Sequence, residues 1–102
     1  MVKNNSLKII WDENASYHLK EIYDFISVDS EQSAKKVKKK ILSTIKKLPD
    51  NPYVFEKDRF KINNSGEYRA FTIYSYRIAY KVTEDLIQVL RIRHTSREPL
   101  DY

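Results

Sequence analysis

Tyr76-Arg77-Ile78-Ala79-Tyr80-Lys81-Val82, then Thr83-Glu84-Asp85, then Leu86-Ile87-Gln88-Val89-Leu90-Arg91-Ile92-Arg93 is the stretch that decides the fold of this 102-residue chain. Two β-branched and aromatic runs flank a short polar break, the pattern of an antiparallel hairpin. Side chains alternate along a strand. Simple alternation therefore puts Leu86, Gln88, Leu90 and Ile92 on one face and Ile87, Val89, Arg91 and Arg93 on the other. Upstream, Tyr68 to Tyr74 is a third run of the same kind. Asn63-Asn64-Ser65-Gly66 before it carries turn chemistry, because Asn and Gly tolerate positive φ. Arg59 to Ile62 is a short alternating segment, so the meander is expected to have three or four strands.

Ahead of the strands the period lengthens. Ala15, Leu19, Ile22 and Ile26 recur at helical spacing and predict a helix over about residues 13 to 27, with Asp12 as N-cap. A second helix is predicted from Glu31 to Leu48. Ala34, Val37, Ile41, Ile45 (or Thr44) and Leu48 form its buried stripe, Asp29 or Ser30 its cap, and Pro49 and Pro52 its end. The connection at Val28-Asp29-Ser30 is too short for anything but an antiparallel helical hairpin. Leu7 to Trp11 reads as one strand before it. The expected architecture is α+β: an N-terminal strand, a helical hairpin, then a C-terminal antiparallel meander with the helices on one sheet face. Residues 1–102 are expected to form one domain.

Composition removes whole classes of chemistry. The chain has no cysteine, which excludes a disulfide scaffold, a thiolate metal site and a cysteine nucleophile. Two histidines far apart, His18 and His94, argue against zinc, and a single glycine excludes a Gly-rich phosphate loop. Nineteen Lys and Arg against fourteen Asp and Glu leave a net charge of +5, which favours a polyanionic or acidic partner. Met1 to Ser6 is polar and no apolar run nears the roughly 20 residues of a membrane span, so a cytoplasmic protein with no membrane association is expected.

Three features compete to carry function. Lys35, Lys36, Lys38, Lys39, Lys40, Lys46 and Lys47 cover the second helix, either as a solvated face or as a grip on phosphates or acidic protein. All six arginines, Arg59, Arg69, Arg77, Arg91, Arg93 and Arg97, fall in the sheet half, interleaved with Tyr68, Phe71, Tyr74, Tyr76 and Tyr80. Guanidinium groups suit bidentate phosphate binding and stacking, and Arg77 opposes Tyr76 and Ile78 in sense, so one strand face is cationic. The tail places His94 beside Arg93 and three residues before Arg97. An imidazole with a pKa of about 6.5 suits general acid work there, or pins the tail by a hydrogen bond. His18 is placed on an exposed flank of the first helix with no role.

The run from Tyr76 to Val82, the acidic turn, and Ile87 to His94 with Arg97 together resemble the RelE/ParE superfamily. Its members are the toxins of bacterial type II toxin–antitoxin modules, also called plasmid-stabilisation proteins. The resemblance implies two actions: ribosome-dependent cleavage of mRNA, as by RelE-like and YoeB-like members, or inhibition of DNA gyrase without nuclease chemistry, as by ParE-like members. On the cleavage pattern Arg77 matches the phosphate-binding arginine and Arg69 lies near the cations of the preceding strand. His94 falls at the catalytic histidine, followed by Thr95 in place of tyrosine. Glu56 matches the general base, Arg97 the C-terminal cation and Tyr102 the terminal tyrosine. The expected reaction is attack of a ribose 2′-hydroxyl on phosphorus, with no metal or cofactor. The expected partners are an acidic or mixed-charge antitoxin, and ribosome with mRNA or, on the other reading, gyrase.

Overall fold

A computed structural model describes residues 7–97 and 101–102. Its order is β1 (Lys8–Trp11), α1 (Glu13–Ser27), α2 (Glu31–Lys46), β2 (Tyr68–Ile73), β3 (Tyr76–Val82) and β4 (Leu86–His94). The four strands form one mixed sheet in the order β1-β4-β3-β2. β1 runs parallel to β4, and β2, β3 and β4 form the antiparallel meander.

The helical hairpin lies on one sheet face because its stripe is apolar. Ala15, Leu19, Ile41, Ile45 and Leu48 meet Phe71, Tyr76, Ile78, Tyr80, Val82, Ile87, Val89 and Ile92 in a single core. Ser30 caps α2 by accepting the Ser33 N–H at 3.1 Å. Asp12 has N-cap backbone geometry but makes no side-chain cap bond. α2 ends at Lys46 rather than Leu48, and Leu48–Asp50 tightens into a 3-10 turn, since Pro49 has no N–H to continue an α-helix.

Two expectations about the strands are corrected. Arg59 to Ile62 is not a strand. The segment that borders β2 lies just before it: Asp58 N–H donates to Tyr68 O at 2.8 Å and Ala70 N–H to Glu56 O at 3.2 Å. Asn64 holds the following turn, donating to Asp58 O and Tyr68 O and accepting from Gly66 N–H. Secondly, alternation in β4 is broken. Ala79 faces Arg91 but Tyr80 faces Val89, so Leu90 is the extra residue of a β-bulge. Ile87 and Val89 therefore share the core face with Ile92, while Arg91 and Arg93 turn to the open face.

The bulge has a polar consequence. β1 ends opposite Val89, leaving the Ile92 N–H beyond its reach, and His18 supplies the acceptor: Ile92 N–H donates to His18 Nδ1 at 3.2 Å. His18 is thus half-buried against β4 and not on an exposed flank. Burial lowers its pKa below the ordinary value, Arg93 and Arg91 push the same way, and Glu21 and Asp12 oppose them. A histidine whose folded-state pKa is depressed stabilises the fold above its unfolded value near 6.5, and that contribution is lost as pH falls through the folded value. Urea unfolding at pH 7.5 and pH 5.5 is expected to show wild type losing more stability than His18→Gln over that interval.

Candidate functional site: the open face of the sheet

The face away from the helices carries Tyr68, Ala70 and Thr72 from β2, Arg77, Ala79 and Lys81 from β3, and Arg91 and Arg93 from β4, by the strand registers. Cations therefore gather on one side, as the alternation of Arg77 against Tyr76 and Ile78 implied. They are not open to solvent as a bare platform. The 58–62 turn and Tyr102 pack over them.

Asp58 is the centre of that packing. Its side chain is fully buried, and a buried carboxylate needs partners. Arg77 Nη2 donates to Oδ1 at 2.9 Å, Phe60 N–H to Oδ1 at 3.1 Å, and the Tyr102 hydroxyl to Oδ2 at 2.5 Å. Burial alone would raise the Asp58 pKa, but the hydrogen bonds from Tyr102, Arg77 and Phe60 and the Arg77 charge outweigh it and hold the carboxyl below the ordinary aspartate value. Burial and the bond to Asp58 raise the Tyr102 phenol.

Tyr102 is held on several sides. Its N–H donates to Phe60 O at 2.9 Å and its carbonyl accepts from Ile62 N–H. The Arg91 guanidinium sits 4.2 Å from its ring centroid, and Tyr68 meets it edge-on at 6.2 Å. Arg77 lies over the Phe60 ring at 4.8 Å.

The remaining sequence candidates scatter. Arg69 is paired across from Tyr80, so it projects on the helix side, where Nε donates to Gly66 O at 2.9 Å and Nη1 to Phe55 O at 3.1 Å. It ties down the loop. Glu56 is exposed and shares a cleft of about 450 Å³ with Arg59, Thr72 and Arg77. His94 pairs with Tyr76, and the two rings meet edge-on at 5.3 Å. Tyr76 points to the core side, so His94 emerges on the face opposite Arg77. There its Nδ1 bonds the Ser96 hydroxyl at 2.8 Å and accepts the Ser96 N–H at 3.0 Å. Arg97 is exposed, and its carbonyl accepts from Arg93 Nη2 at 3.1 Å. The structure thus puts Glu56 and Arg77 on one cleft, and Tyr102 onto Asp58 and Arg91, but it does not bring His94 or Arg69 to them.

The family model for the ParE toxin of the type II toxin–antitoxin system parDE matches residues 9–99. The chain belongs to the ParE toxin family. It is therefore a type II toxin–antitoxin toxin by family. Its fold resembles that in a chromosomal ParDE toxin–antitoxin system from P. aeruginosa, with a TM-score of 0.69, 20% identity, and coverage of 89% of this chain and 98% of that one. It also resembles the YoeB dimer from Staphylococcus aureus at TM-score 0.56 and 20% identity, covering 87% and 97%. A YoeB–YefM complex from Staphylococcus aureus matches at TM-score 0.52 and 18% identity, covering 86% and 95%. These likenesses are of fold. No curated protein is a significant sequence match. Among the described residues no helix is long and apolar enough to cross a membrane, and no group of three His, Cys, Asp or Glu side chains is placed to hold a metal ion.

The sequence reading did not single out Asp58, although it is the one acid in the run Lys57-Asp58-Arg59-Phe60-Lys61. Removing it strands Arg77, so Asp58→Ala is expected to cost about 3 kcal/mol or more in urea unfolding at pH 7, against about 1–2 kcal/mol for Tyr102→Phe. Because the folded pKa lies below the unfolded value near 3.9, the Asp58 contribution is complete above that pH and is lost as pH falls through the folded value. The stability difference between wild type and Asp58→Ala is therefore expected to shrink between pH 5 and pH 2.

Proposed function

We propose that this ParE-family toxin arrests growth by binding DNA gyrase and not by cutting mRNA, and that a cognate antitoxin neutralises it. One observation carries the reading: Arg77 and His94 project from opposite faces of the sheet, and Arg77 already neutralises a buried carboxylate. Cleavage by a ribose 2′-hydroxyl needs a cation on the phosphate and a proton for the 5′-oxygen leaving group at the same point. Here the guanidinium candidate is on one side and the imidazole on the other. A phosphate reaching Arg77 would compete with Asp58, and Tyr102, the candidate terminal tyrosine, is engaged with the same carboxylate.

The mRNA-cleaving reading retains one supporting feature, the cleft where Glu56 lies beside Arg59 and Arg77. It has a base and a cation, but no general acid faces it among the described residues named for that role. Binding without chemistry asks less of the site, since a surface held by the Arg77–Asp58–Tyr102 contacts is preorganised for contact. The family's antitoxin expectation stands with either action.

The test runs two assays on one induced culture and its purified product. Inhibition of gyrase supercoiling, with primer extension showing no new mRNA ends, is the expected outcome. The Arg77→Ala, His94→Ala double variant is expected to stay toxic wherever it stays folded. New ends within translated codons, abolished by that variant, would overturn the proposal.

A further inference from the structure

α2 carries a second cationic surface, remote in character from the sheet. Lys35, Lys36, Lys38, Lys39, Lys40 and Lys46 are all exposed on a helix whose acidic residue is Glu31. Lys35 and Lys39, and Lys36 and Lys40, are like charges one turn apart, an arrangement that weakens a helix. The two ion pairs of the described residues, Lys20 with Asp24 and Arg77 with Asp58, involve none of them. A groove of about 500 Å³ runs beside the helix, lined by Tyr23, Lys35, Lys38, Lys39, Leu42 and Lys46.

We infer that this face of α2 is a docking surface for the backbone of duplex DNA, with the Lys35, Lys39 and Lys46 ammonium groups seated on phosphates. The stripe from Lys35 to Lys46 spans about 16 Å at about 1.5 Å per residue. Duplex DNA presents about ten phosphate charges over that length, one per about 1.7 Å. Lysine suits this task, because a compact point charge on a flexible stem needs no fork geometry to meet a phosphate. Single-stranded nucleic acid fits less well. It needs free aromatic faces for stacking, whereas the Tyr23 ring is half-buried and already has the Lys38 ammonium over it at 5.4 Å. An acidic peptide would want more apolar floor than the exposed edge of Leu42 provides. The inference goes beyond the gyrase reading and stands without it, since the contact is with DNA alone.

Fluorescence anisotropy of the purified full chain with a labelled duplex of about 20 base pairs tests it. Three phosphates neutralised give a log–log salt slope near −2.7, so binding is expected to weaken about 40-fold between about 50 and about 200 mM salt. The Lys35→Ala, Lys39→Ala, Lys46→Ala variant is expected to lose that slope and at least about tenfold in affinity at the lower salt. Alanine favours helix, so this variant keeps its fold, as far-UV circular dichroism would verify. Lys57→Ala with Lys81→Ala, on the loop and sheet, is expected to bind as wild type. Absence of duplex binding by wild type, an unchanged triple variant, or a loss confined to the Lys57 and Lys81 variant would overturn the proposal. So would preference for single strands, or displacement of DNA by polyglutamate at lower charge concentration than by unlabelled duplex.

Discussion

Side chains of a strand alternate, so Ile87, Val89 and Ile92 can share one face only if a residue between them is left out of the count. Leu90 is that residue. The bulge keeps all three apolar side chains in the core and sends Arg91 and Arg93 to the open face beside Arg77. It also fixes His94 on the helix side, against Tyr76. The same distortion leaves the Ile92 N–H past the end of β1, where α1 answers with His18. Strand facing and the separation of the two candidate reacting groups both follow from this one insertion.

Having gathered guanidinium groups on one face, the chain engages the central one, Arg77, with a buried acid. Asp58 is buried because the loop before β2 folds back along that strand, and a buried carboxylate is tolerable only with donors. Arg77, Phe60 N–H and the Tyr102 hydroxyl provide them. The open face therefore has its principal cation already engaged by a buried carboxylate.

The two cationic surfaces thus differ in kind. On the sheet, Arg77 and Arg91 are threaded through aromatic rings and a buried acid, and their geometry is set. On α2 the lysines stand in solvent on a helix with one acid, and their charge is available. A toxin of this size can present both because the hairpin and the open face lie on opposite sides of a single sheet.

Both helices, their apolar stripes, β3 and the turn at Asn63 to Gly66 were legible in the sequence, because local periodicity and turn chemistry write those features directly. The gathering of arginines in the sheet half was legible too. The bulge was not: Leu90 is as apolar as its neighbours, and only the pairing of Ala79 with Arg91 and Tyr80 with Val89 reveals it. Nor was the parallel pairing of β1 with β4, which joins residues some eighty positions apart. The sequence by itself determined which residue types exist to do chemistry, and the family pattern named Arg77, His94, Glu56 and Tyr102 among them. Only the tertiary structure decided which of those side chains meet, because the facing of a strand residue depends on every register shift before it, and a carboxylate's partners depend on loops that close from distant parts of the chain.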